Sequence, residues 1–381
     1  MQNKLVYFNG LNGVRFLAAC FEIFFHTEHM KLIYGLSNLY GSRTIAIGDL
    51  GVNLFFVLSG FLITYILLVE HKQTGSINIK KFYVRRTLRI WPLYYLITLL
   101  SFFILPYFLK TPFFSVFDNN YNNNLLMYLF FIPNVAITIY PAVPFAAQMW
   151  GVGLEEQFYL LWPVLMRVFI KKMWLFLIYT IAVIIALRIL IAIIINYHFF
   201  EISFLNYTNS CDPFPFILRF DCLSIGGIGG YITFSKKERI MRILFNKYFQ
   251  MGTWLILLYS IITGMKDSVF YHDIYSVLSL IIIMNIALNT KSVIKLENRI
   301  LKYLGKLSYG LYTYHPLCII ISLTLLKPSY FINPLLFNCV LYLSVTLISI
   351  GLSAISYHFF EQPFLNLKKT FSIISTGDNI K

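Results

Sequence analysis

The sequence predicts an all-α, polytopic integral membrane protein with about ten transmembrane helices and one short re-entrant or interfacial segment. Of its 381 residues, 58% are hydrophobic and only 12% are charged, about half the charged fraction of an ordinary soluble domain. Apolar runs of about 17 to 25 residues, long enough to cross a bilayer, recur along the chain. The excess positive charge of +15 is concentrated in a few loops between these runs, and it sets their orientation.

Eleven apolar runs are the candidate membrane segments. They lie at 14–33, 51–69, 91–108, 125–139, 157–170, 173–196, 215–234, 249–264, 274–288, 310–326 and 335–357. The first run is not a cleaved signal peptide, because it holds a glutamate and two histidines and lacks a small-residue cleavage site.

The basic loops decide how many of these runs cross. Lysine and arginine are enriched in 71–89, 235–247 and 291–306, which should therefore face the cytoplasm. Eleven crossings would put some of these loops outside. The run 125–139 is short and lies between an asparagine-rich stretch and the proline-bearing IYPAVP, so we treat it as the re-entrant or interfacial segment. Ten crossings then place every basic loop and both termini in the cytoplasm.

This reading makes residues 1–365 one membrane-embedded domain and residues 366–381 a cytoplasmic tail. With so little sequence outside the membrane, any activity must reside in the membrane domain.

The first apolar run carries a stripe of ionisable side chains. An α-helix turns about 100° per residue, so Arg15, Glu22, His26 and His29 fall within about 60° of one another, whereas Glu28 points elsewhere. Charged groups in a membrane helix usually line a cavity or a substrate path. The alternative is a polar cluster that holds helices together.

Within that stripe, Glu22 lies one turn before His26 and can orient its imidazole. A neutral imidazole, with an ordinary pKa near 6.5, is well suited to act as a general base. His26 is therefore the first candidate for a catalytic residue.

Three arginines directly precede the third run, in FYVRRTLRIWPLYY. Arg85 and Arg89 lie one turn apart, and Arg86 points about 100° away. They can anchor the helix at the cytoplasmic surface, or they can bind phosphate, for which the guanidinium group is suited.

Two glutamates, Glu155 and Glu156, precede FYLLWP near the start of another run. Acidic residues stabilise helix N-termini, so compensation of the helix dipole is the alternative to a catalytic role. In the ten-span topology they face the outside, the side that His26 approaches.

Further polar side chains interrupt two later runs. Arg219 and Asp221 are two residues apart, so we expect each to reach a partner on another helix. Tyr312 and His315 share one helix face in LGKLSYGLYTYHPL, with His315 directly before a proline. The small residues of GVNLFFVLSGFLIT and of IGGIGG predict close helix packing.

Taken in order, these motifs resemble acyltransferase family 3, the membrane O-acyltransferases that modify bacterial surface glycans. The matching stretches are GLNGVRFLAACFEIFFH, GVNLFFVLSGFLIT, FYVRRTLRIWPLYY, WGVGLEEQFYLLWP, RFDCLSIGG, LGKLSYGLYTYHPL and ISYHFFEQPF. The resemblance extends from residue 10 to about residue 364. It implies the same ten-span arrangement with cytoplasmic termini, in the inner (cytoplasmic) membrane of a bacterium.

The resemblance also implies roles for residues. The family pairs a basic residue with a histidine eleven positions later, here Arg15 and His26, with His26 in the catalytic place. Its FxxSG motif falls on Phe56, Ser59 and Gly60, and its arginine cluster is associated with the acyl-CoA donor. We therefore expect three groups of site residues: catalytic His26, Glu22, Glu155 and Glu156; donor-binding Arg15, Arg85, Arg86, Arg89 and Ser59; and substrate-binding Arg219, Asp221, Tyr312 and His315.

The expected reaction is transfer of an acetyl group from cytoplasmic acetyl-CoA, with no metal, to a hydroxyl of a cell-surface or lipid-linked glycan. The acceptor would be lipopolysaccharide O-antigen, capsule or exopolysaccharide, either free of a carrier or linked to undecaprenyl, and membrane lipid surrounds the protein. Nucleic acid is not expected as a partner, and the oligomeric state, a homodimer included, is open. His26 acts either as the base or as an acylated intermediate.

Three alternatives stay open. The same chemistry can use another acyl group, such as succinyl, or another acceptor, such as peptidoglycan. A polysaccharide transporter or flippase would use the polar stripe as its path, although broken helices in matched halves of the chain are not evident. A structural membrane subunit without chemistry is the third.

Overall fold

The structure is a computed structural model that describes residues 7–109, 121–196, 219–265, 270–372 and 374. Of these described residues, 83% are helical and none lies in a strand. The predicted all-α class is therefore confirmed.

Helices cover most of each predicted apolar run in the described part of the chain. Residues 130–132 separate two helices within the run 125–139, and residues 215–218 lie outside the described part. The helices are α1 (Leu11–Ile33), α2 (Ser42–Thr74), α3 (Ile79–Phe108), α4 (Tyr121–Leu129), α5 (Pro133–Ile139), α6 (Met149–Phe169), α7 (Met173–Asn196), α8 (Phe220–Phe234), α9 (Glu238–Leu244), α10 (Lys247–Thr263), α11 (Tyr271–Leu288), α12 (Arg299–Lys306), α13 (Ser308–Leu325), α14 (Pro334–Ile355) and α15 (Gln362–Thr370). A turn of π-helix, Leu100–Ile104, lies within α3, and another, Ser356–Glu361, joins α14 to α15.

Five helical stretches among the described residues are long and apolar enough to cross a membrane. They are Ser42–Thr74, Ile79–Phe108, Met149–Ile191, Tyr271–Leu288 and Pro334–Thr370. Helix α1 is not among them because four charged side chains lie within its 23 residues. The chain is thus a membrane protein by its helices, and the count of ten crossings stays a prediction.

The longest of these stretches, Met149–Ile191, is a hairpin of α6 and α7. A short 3-10 turn, Ile170–Lys172, separates the two helices. The rings of Trp162 and Phe176 lie 5.3 Å apart, whereas one straight helix would separate these positions by about 21 Å. The chain therefore reverses direction at the lysine pair.

The segment predicted to be re-entrant or interfacial consists of two short helices. Helices α4 and α5 have nine and seven residues, and Phe131 between them has a φ of 59°. At 1.5 Å per residue they are about 14 and 10 Å long, against a hydrocarbon thickness of about 30 Å. Neither helix can cross alone, and their placement at the membrane stays a prediction.

The described residues form two compact units. The first unit is built within Phe56–Lys236 and Leu365–Ile374. In it, α7 packs along α8, and α8 crosses the later part of α2 at glycines. A Cβ atom on Gly60 would lie 1.8 Å from the carbonyl oxygen of Leu223, and one on Gly226 would lie 2.1 Å from that of Val57. Only glycine permits this approach, which confirms the packing interpretation of these motifs.

The second unit is built within Lys4–Phe55 and Lys237–Phe364. Here α1 packs against α11, α12 and α13, and α13 packs along α14. Ile23 of α1 lies in a buried cluster with Ile319 of α13 and Leu341 of α14. This packing holds the polar face of α1 close to α13. The one-domain interpretation of residues 1–365 stays a prediction, and residues 373 and 375–381 of the predicted tail lie outside the described residues.

Candidate active site

The second unit brings three predicted site residues together around His26 of α1. Glu22, one turn earlier, places Oε2 3.5 Å from Nε2 of His26. The side chain of Glu22 is 4% exposed and that of His26 is 18% exposed. From α13, the ring of His315 lies with its centroid 4.9 Å from that of His26. We call Glu22, His26 and His315 the imidazole cluster.

A glycine on α2 makes room for this cluster. A Cβ atom on Gly51 would lie 2.9 Å from the carbonyl oxygen of Ala18 and 3.0 Å from Oε1 of Glu22. The Glu22 carboxylate therefore lies directly against the backbone of α2. This contact holds it at the level of the His26 ring.

Aromatic rings extend the cluster along α13. Tyr312 lies 6.0 Å from His315 between ring centroids, and Phe55 packs edge-on against Tyr312 at 5.6 Å. His315 is fully buried. Of the predicted substrate-binding residues, His315 thus lies beside the predicted catalytic histidine and Tyr312 lies beside His315, although their roles stay predictions.

The remaining members of the α1 stripe have other neighbours. His29 stacks on Tyr40 with centroids 4.9 Å apart, and Phe25 packs against both rings. Arg15 donates from Nη1 to Oδ1 of Asn12 at 3.0 Å. The side chains of the stripe therefore lie in more than one local environment.

A buried ion pair on the same helix was not predicted. Glu28 and Lys31 are 0% and 2% exposed, and Nζ of Lys31 lies 2.7 Å from Oε1 of Glu28. The hydroxyl of Tyr342 donates to the same carboxylate oxygen, and the backbone N–H of Leu39 donates to the other one. The i, i+3 spacing of the acid and the base was the available sequence signal.

In the first unit, Glu155 is the centre of a second group of predicted site residues. Its two oxygens accept hydrogen bonds from the hydroxyls of Ser59 and Tyr159, each at 2.7 Å. The guanidinium of Arg86 lies 5.1 Å above the Tyr159 ring, and the charges of Arg86 and Arg89 both act on Glu155. We call Ser59, Arg86, Glu155 and Tyr159 the carboxylate cluster.

Glu156 has a different environment from Glu155. One of its oxygens accepts a hydrogen bond from the Trp91 indole at 2.9 Å. The other is buried without a hydrogen-bond partner in the part of the chain that the structure describes. Because α6 begins at Met149 and has no acidic residue in its first turn, the alternative of helix-end compensation is wrong for both glutamates.

The three predicted donor-binding arginines of α3 do not share the same neighbours. Arg85 donates to the buried Glu70 at 3.1 Å and to the backbone carbonyl of Phe371 at 3.1 Å. Glu70 also accepts the N–H of Asn78 at 2.7 Å, so this group ties helix ends together. Arg86 belongs instead to the carboxylate cluster, and Arg89 lies near it.

The charged residues at the start of α8 reach other helices. Asp221 forms a buried ion pair with Arg188 of α7 and accepts the N–H of Cys222 at 2.8 Å. The guanidinium of Arg219 lies 5.4 Å above the ring of Trp150 on α6. The predicted cross-helix contacts are confirmed, whereas Arg188 was missed and the predicted substrate-binding roles stay predictions.

Comparison with known proteins gives a family match over most of the chain. Residues 8–354 match the family described as the acyltransferase domain. A protein of Staphylococcus aureus strain COL named as a candidate O-acetyltransferase is 27% identical over 95% of this chain and 58% of its own length. O-acetyltransferase OatA of Staphylococcus aureus strain NCTC 8325 is 24% identical over 94% of this chain and 57% of its own length.

A shorter match is found with peptidoglycan O-acetyltransferase OatA of Listeria monocytogenes, which is 32% identical over 32% of this chain and 20% of its own length. The chain thus spans less than two thirds of the length of the relatives that it matches throughout. No solved structure matches it.

Proposed function

Because the chain belongs to the acyltransferase-domain family, we propose that it is a membrane O-acetyltransferase that moves an acetyl group from acetyl-CoA to a glycan hydroxyl. The names of its relatives support O-acetyl transfer. The observation that carries the proposal is the imidazole cluster. A partly exposed imidazole with a buried carboxylate 3.5 Å behind it is an arrangement suited to general-base catalysis.

In the proposed reaction, His26 takes the proton of the acceptor hydroxyl while the hydroxyl oxygen attacks the thioester carbonyl carbon. The carbon–sulfur bond then breaks, and the leaving CoA thiolate takes the proton from the His26 imidazolium. The products are an O-acetyl ester and free CoA, so atoms and protons balance. Glu22 stabilises the imidazolium because its carboxylate faces Nε2 of that ring.

Donor binding is assigned to Arg86 and Arg89. Acetyl-CoA carries phosphates, for which guanidinium groups are suited ligands. Arg86 stacks on the rings of Phe82 and Tyr159, and the hydroxyl of Tyr159 donates to Glu155. Glu155 therefore holds the aromatic face on which Arg86 rests. Arg85 is a weaker candidate because Glu70 and the Phe371 carbonyl already accept from its guanidinium.

The proposed acceptor is a cell-surface or lipid-linked glycan. Peptidoglycan joins lipopolysaccharide O-antigen, capsule and exopolysaccharide as a candidate because one relative is named for it. We place the protein in the bacterial inner membrane with both termini cytoplasmic, so that acetyl-CoA reaches it from inside. A different acyl group, such as succinyl, is the alternative within the same chemistry.

The test is the release of free CoA by purified protein given acetyl-CoA and soluble peptidoglycan glycan strands. We expect acceptor-dependent release by the wild type and a loss of about 100-fold or more in His26→Ala. His29→Gln, a change to another histidine of the same helix, is the matched control and should retain activity. Full activity in His26→Ala would refute the assignment of His26, and absence of CoA release from the wild type would favour a transporter or a structural subunit.

A further inference from the structure

His315 is held in one tautomer by the backbone of its own helix. Its Nδ1 lies 3.2 Å from the carbonyl oxygen of Leu311, and the carbonyl of Tyr312 also lies near the ring. A carbonyl oxygen only accepts hydrogen bonds, so Nδ1 carries the hydrogen and Nε2 of the neutral ring is a lone-pair acceptor.

The proline after His315 explains this arrangement. Pro316 lies inside α13 and has no N–H, so it cannot donate to the carbonyl of Tyr312, four residues earlier. Beside this position the imidazole N–H of His315 donates to the helix backbone, at the carbonyl of Leu311. The tautomer is therefore set by local sequence and does not depend on a ligand.

The other ring nitrogen is left without a partner. Nε2 of His315 is buried and has no hydrogen-bond partner among the residues that the structure describes. A buried acceptor without a donor is costly. The ring centroid of His26, the proposed base, is 4.9 Å away.

We propose that Nε2 of His315 accepts a hydrogen bond from the protonated His26 ring and thereby shares the proton taken from the acceptor hydroxyl. This inference rests on the proposed O-acetyltransferase activity and deepens it. The proton stays on the histidine pair while the thioester carbon–sulfur bond breaks, and it then passes from His26 to the CoA thiolate. His315 acts through His26 and is a positioning residue.

Few titratable groups face this pair in the described structure. Glu22 and His29 contribute from α1 and Tyr312 from α13, whereas Phe55 packs from α2 without a charge. From α14, Ser349 lies near Cys318 of α13, one turn beyond the pair. Glu22 favours the protonated pair, and His315 supplies the acceptor that Glu22 does not.

The alternative interpretation is that His315 only stabilises α13 at Pro316, through its hydrogen bond to the helix backbone. Two variants separate the two roles. His315→Asn keeps an N–H at the position of Nδ1 but removes the Nε2 acceptor. His315→Gln places an amide oxygen near the position of Nε2 but loses the N–H that reaches Leu311. Proton sharing predicts that the Gln variant is more active than the Asn variant, and stabilisation of α13 alone predicts the reverse order.

The experiment is the pH dependence of CoA release from acetyl-CoA with soluble peptidoglycan glycan strands, with thermal unfolding measured in parallel. We expect His315→Asn to unfold near the wild-type temperature and to lose about tenfold or more in kcat. The acidic limb of the kcat–pH profile of this variant should move to lower pH by about one unit, because the protonated His26 ring loses an acceptor. For His315→Gln, both kcat and the position of the acidic limb should lie between those of His315→Asn and those of the wild type.

Wild-type kcat in His315→Asn, or a lower kcat with an unmoved acidic limb, would overturn the inference and leave the proposed function intact. A wild type without CoA release would overturn both. If His315→Asn folds poorly, the comparison is made in a Pro316→Ala background, where a backbone N–H is available to the Tyr312 carbonyl. In that background only the loss of Nε2 is tested, and the same outcomes apply.

Discussion

Two carboxylates on α1, six positions apart, have opposite environments. Glu28 is fully buried and accepts from Lys31, from the Tyr342 hydroxyl and from the Leu39 backbone. Glu22 faces the His26 ring at 3.5 Å, beyond ordinary hydrogen-bond length, and that ring is 18% exposed. A buried carboxylate with several hydrogen-bond donors, such as Glu28, holds the helix in place. A carboxylate beside a partly exposed imidazole, such as Glu22 beside His26, is suited to move protons. The sequence places Glu22 in the stripe and Glu28 on another face of the helix, but it does not show which of the two carboxylates is fully hydrogen-bonded.

The same contrast recurs in the first unit with neighbouring arginines of α3. Arg85 is committed to Glu70 and a backbone carbonyl. Arg86 lies over two aromatic rings and near Glu155. We therefore expect changes at Glu28 and Arg85 to affect folding, and changes at Glu22 and Arg86 to affect activity.

The largest effect on stability is expected from Lys31→Met. Removing one partner of a buried ion pair leaves an uncompensated charge and lowers the free energy of unfolding by about 3–5 kcal/mol. Denaturation in detergent measures it. The control is the double variant Glu28→Gln/Lys31→Met, which should recover most of the loss because no charge is left buried. Equal stability of Lys31→Met and the wild type would contradict a structural role for the pair.

A smaller effect, on the rate alone, is expected from Glu22→Gln. The amide has the size of the carboxylate but does not stabilise the His26 imidazolium, so kcat should fall about 10- to 100-fold. The KM for acetyl-CoA and the unfolding temperature should stay near those of the wild type. A large loss of stability with normal activity in the folded fraction would make Glu22 equivalent to Glu28 and remove the distinction.

Arg86→Gln is expected to raise the KM for acetyl-CoA about tenfold with little change in kcat, because one charge-assisted contact to phosphate is lost. Arg85→Gln is the matched control from the same turn. It should lower stability through the loss of the Glu70 pair and leave the KM of the folded protein nearly unchanged. A raised KM for acetyl-CoA in Arg85→Gln, with a lowered stability in Arg86→Gln, would show that Arg85 binds the donor.

The smallest effect is expected from Ser59→Ala. It removes one of the two hydroxyl donors to Glu155, and the hydrogen bond that is lost contributes about 1 kcal/mol to holding that carboxylate in place. Activity should fall about fivefold, and the unfolding temperature should move little. Ser59→Thr retains the hydroxyl and should stay closer to the wild type. A complete loss in Ser59→Ala would indicate that Ser59 contacts the reacting groups directly.

The helices were predictable because each apolar run had to bury its backbone within a helix. Glu22, His26 and the Arg–Arg motif could also be found by their spacing and their cost in a membrane. The partners of Arg85, Asp221 and Glu28 could not be found in this way, because they lie 15, 33 and 314 residues away in the sequence, at Glu70, Arg188 and Tyr342. The place of His315 beside His26 likewise depends on how α13 packs against α1, which periodicity does not specify.

The start of α6 shows another limit of the sequence. The apolar run was taken to begin near residue 157, whereas the helix begins at Met149. The difference of two turns moves Glu155 and Glu156 from a helix end to a helix interior. Their hydrogen bonds to Ser59, Tyr159 and Trp91, and not the helix dipole, then account for their burial.

The most direct measurement compares CoA release by His26→Gln with that by the double variant Glu28→Gln/Lys31→Met, at equal amounts of folded protein. We predict that His26→Gln folds like the wild type and releases no CoA above background, while the double variant releases CoA within a few-fold of the wild type. An active His26→Gln, or a folded double variant without activity, would contradict the division of α1 into a catalytic pair and a structural pair.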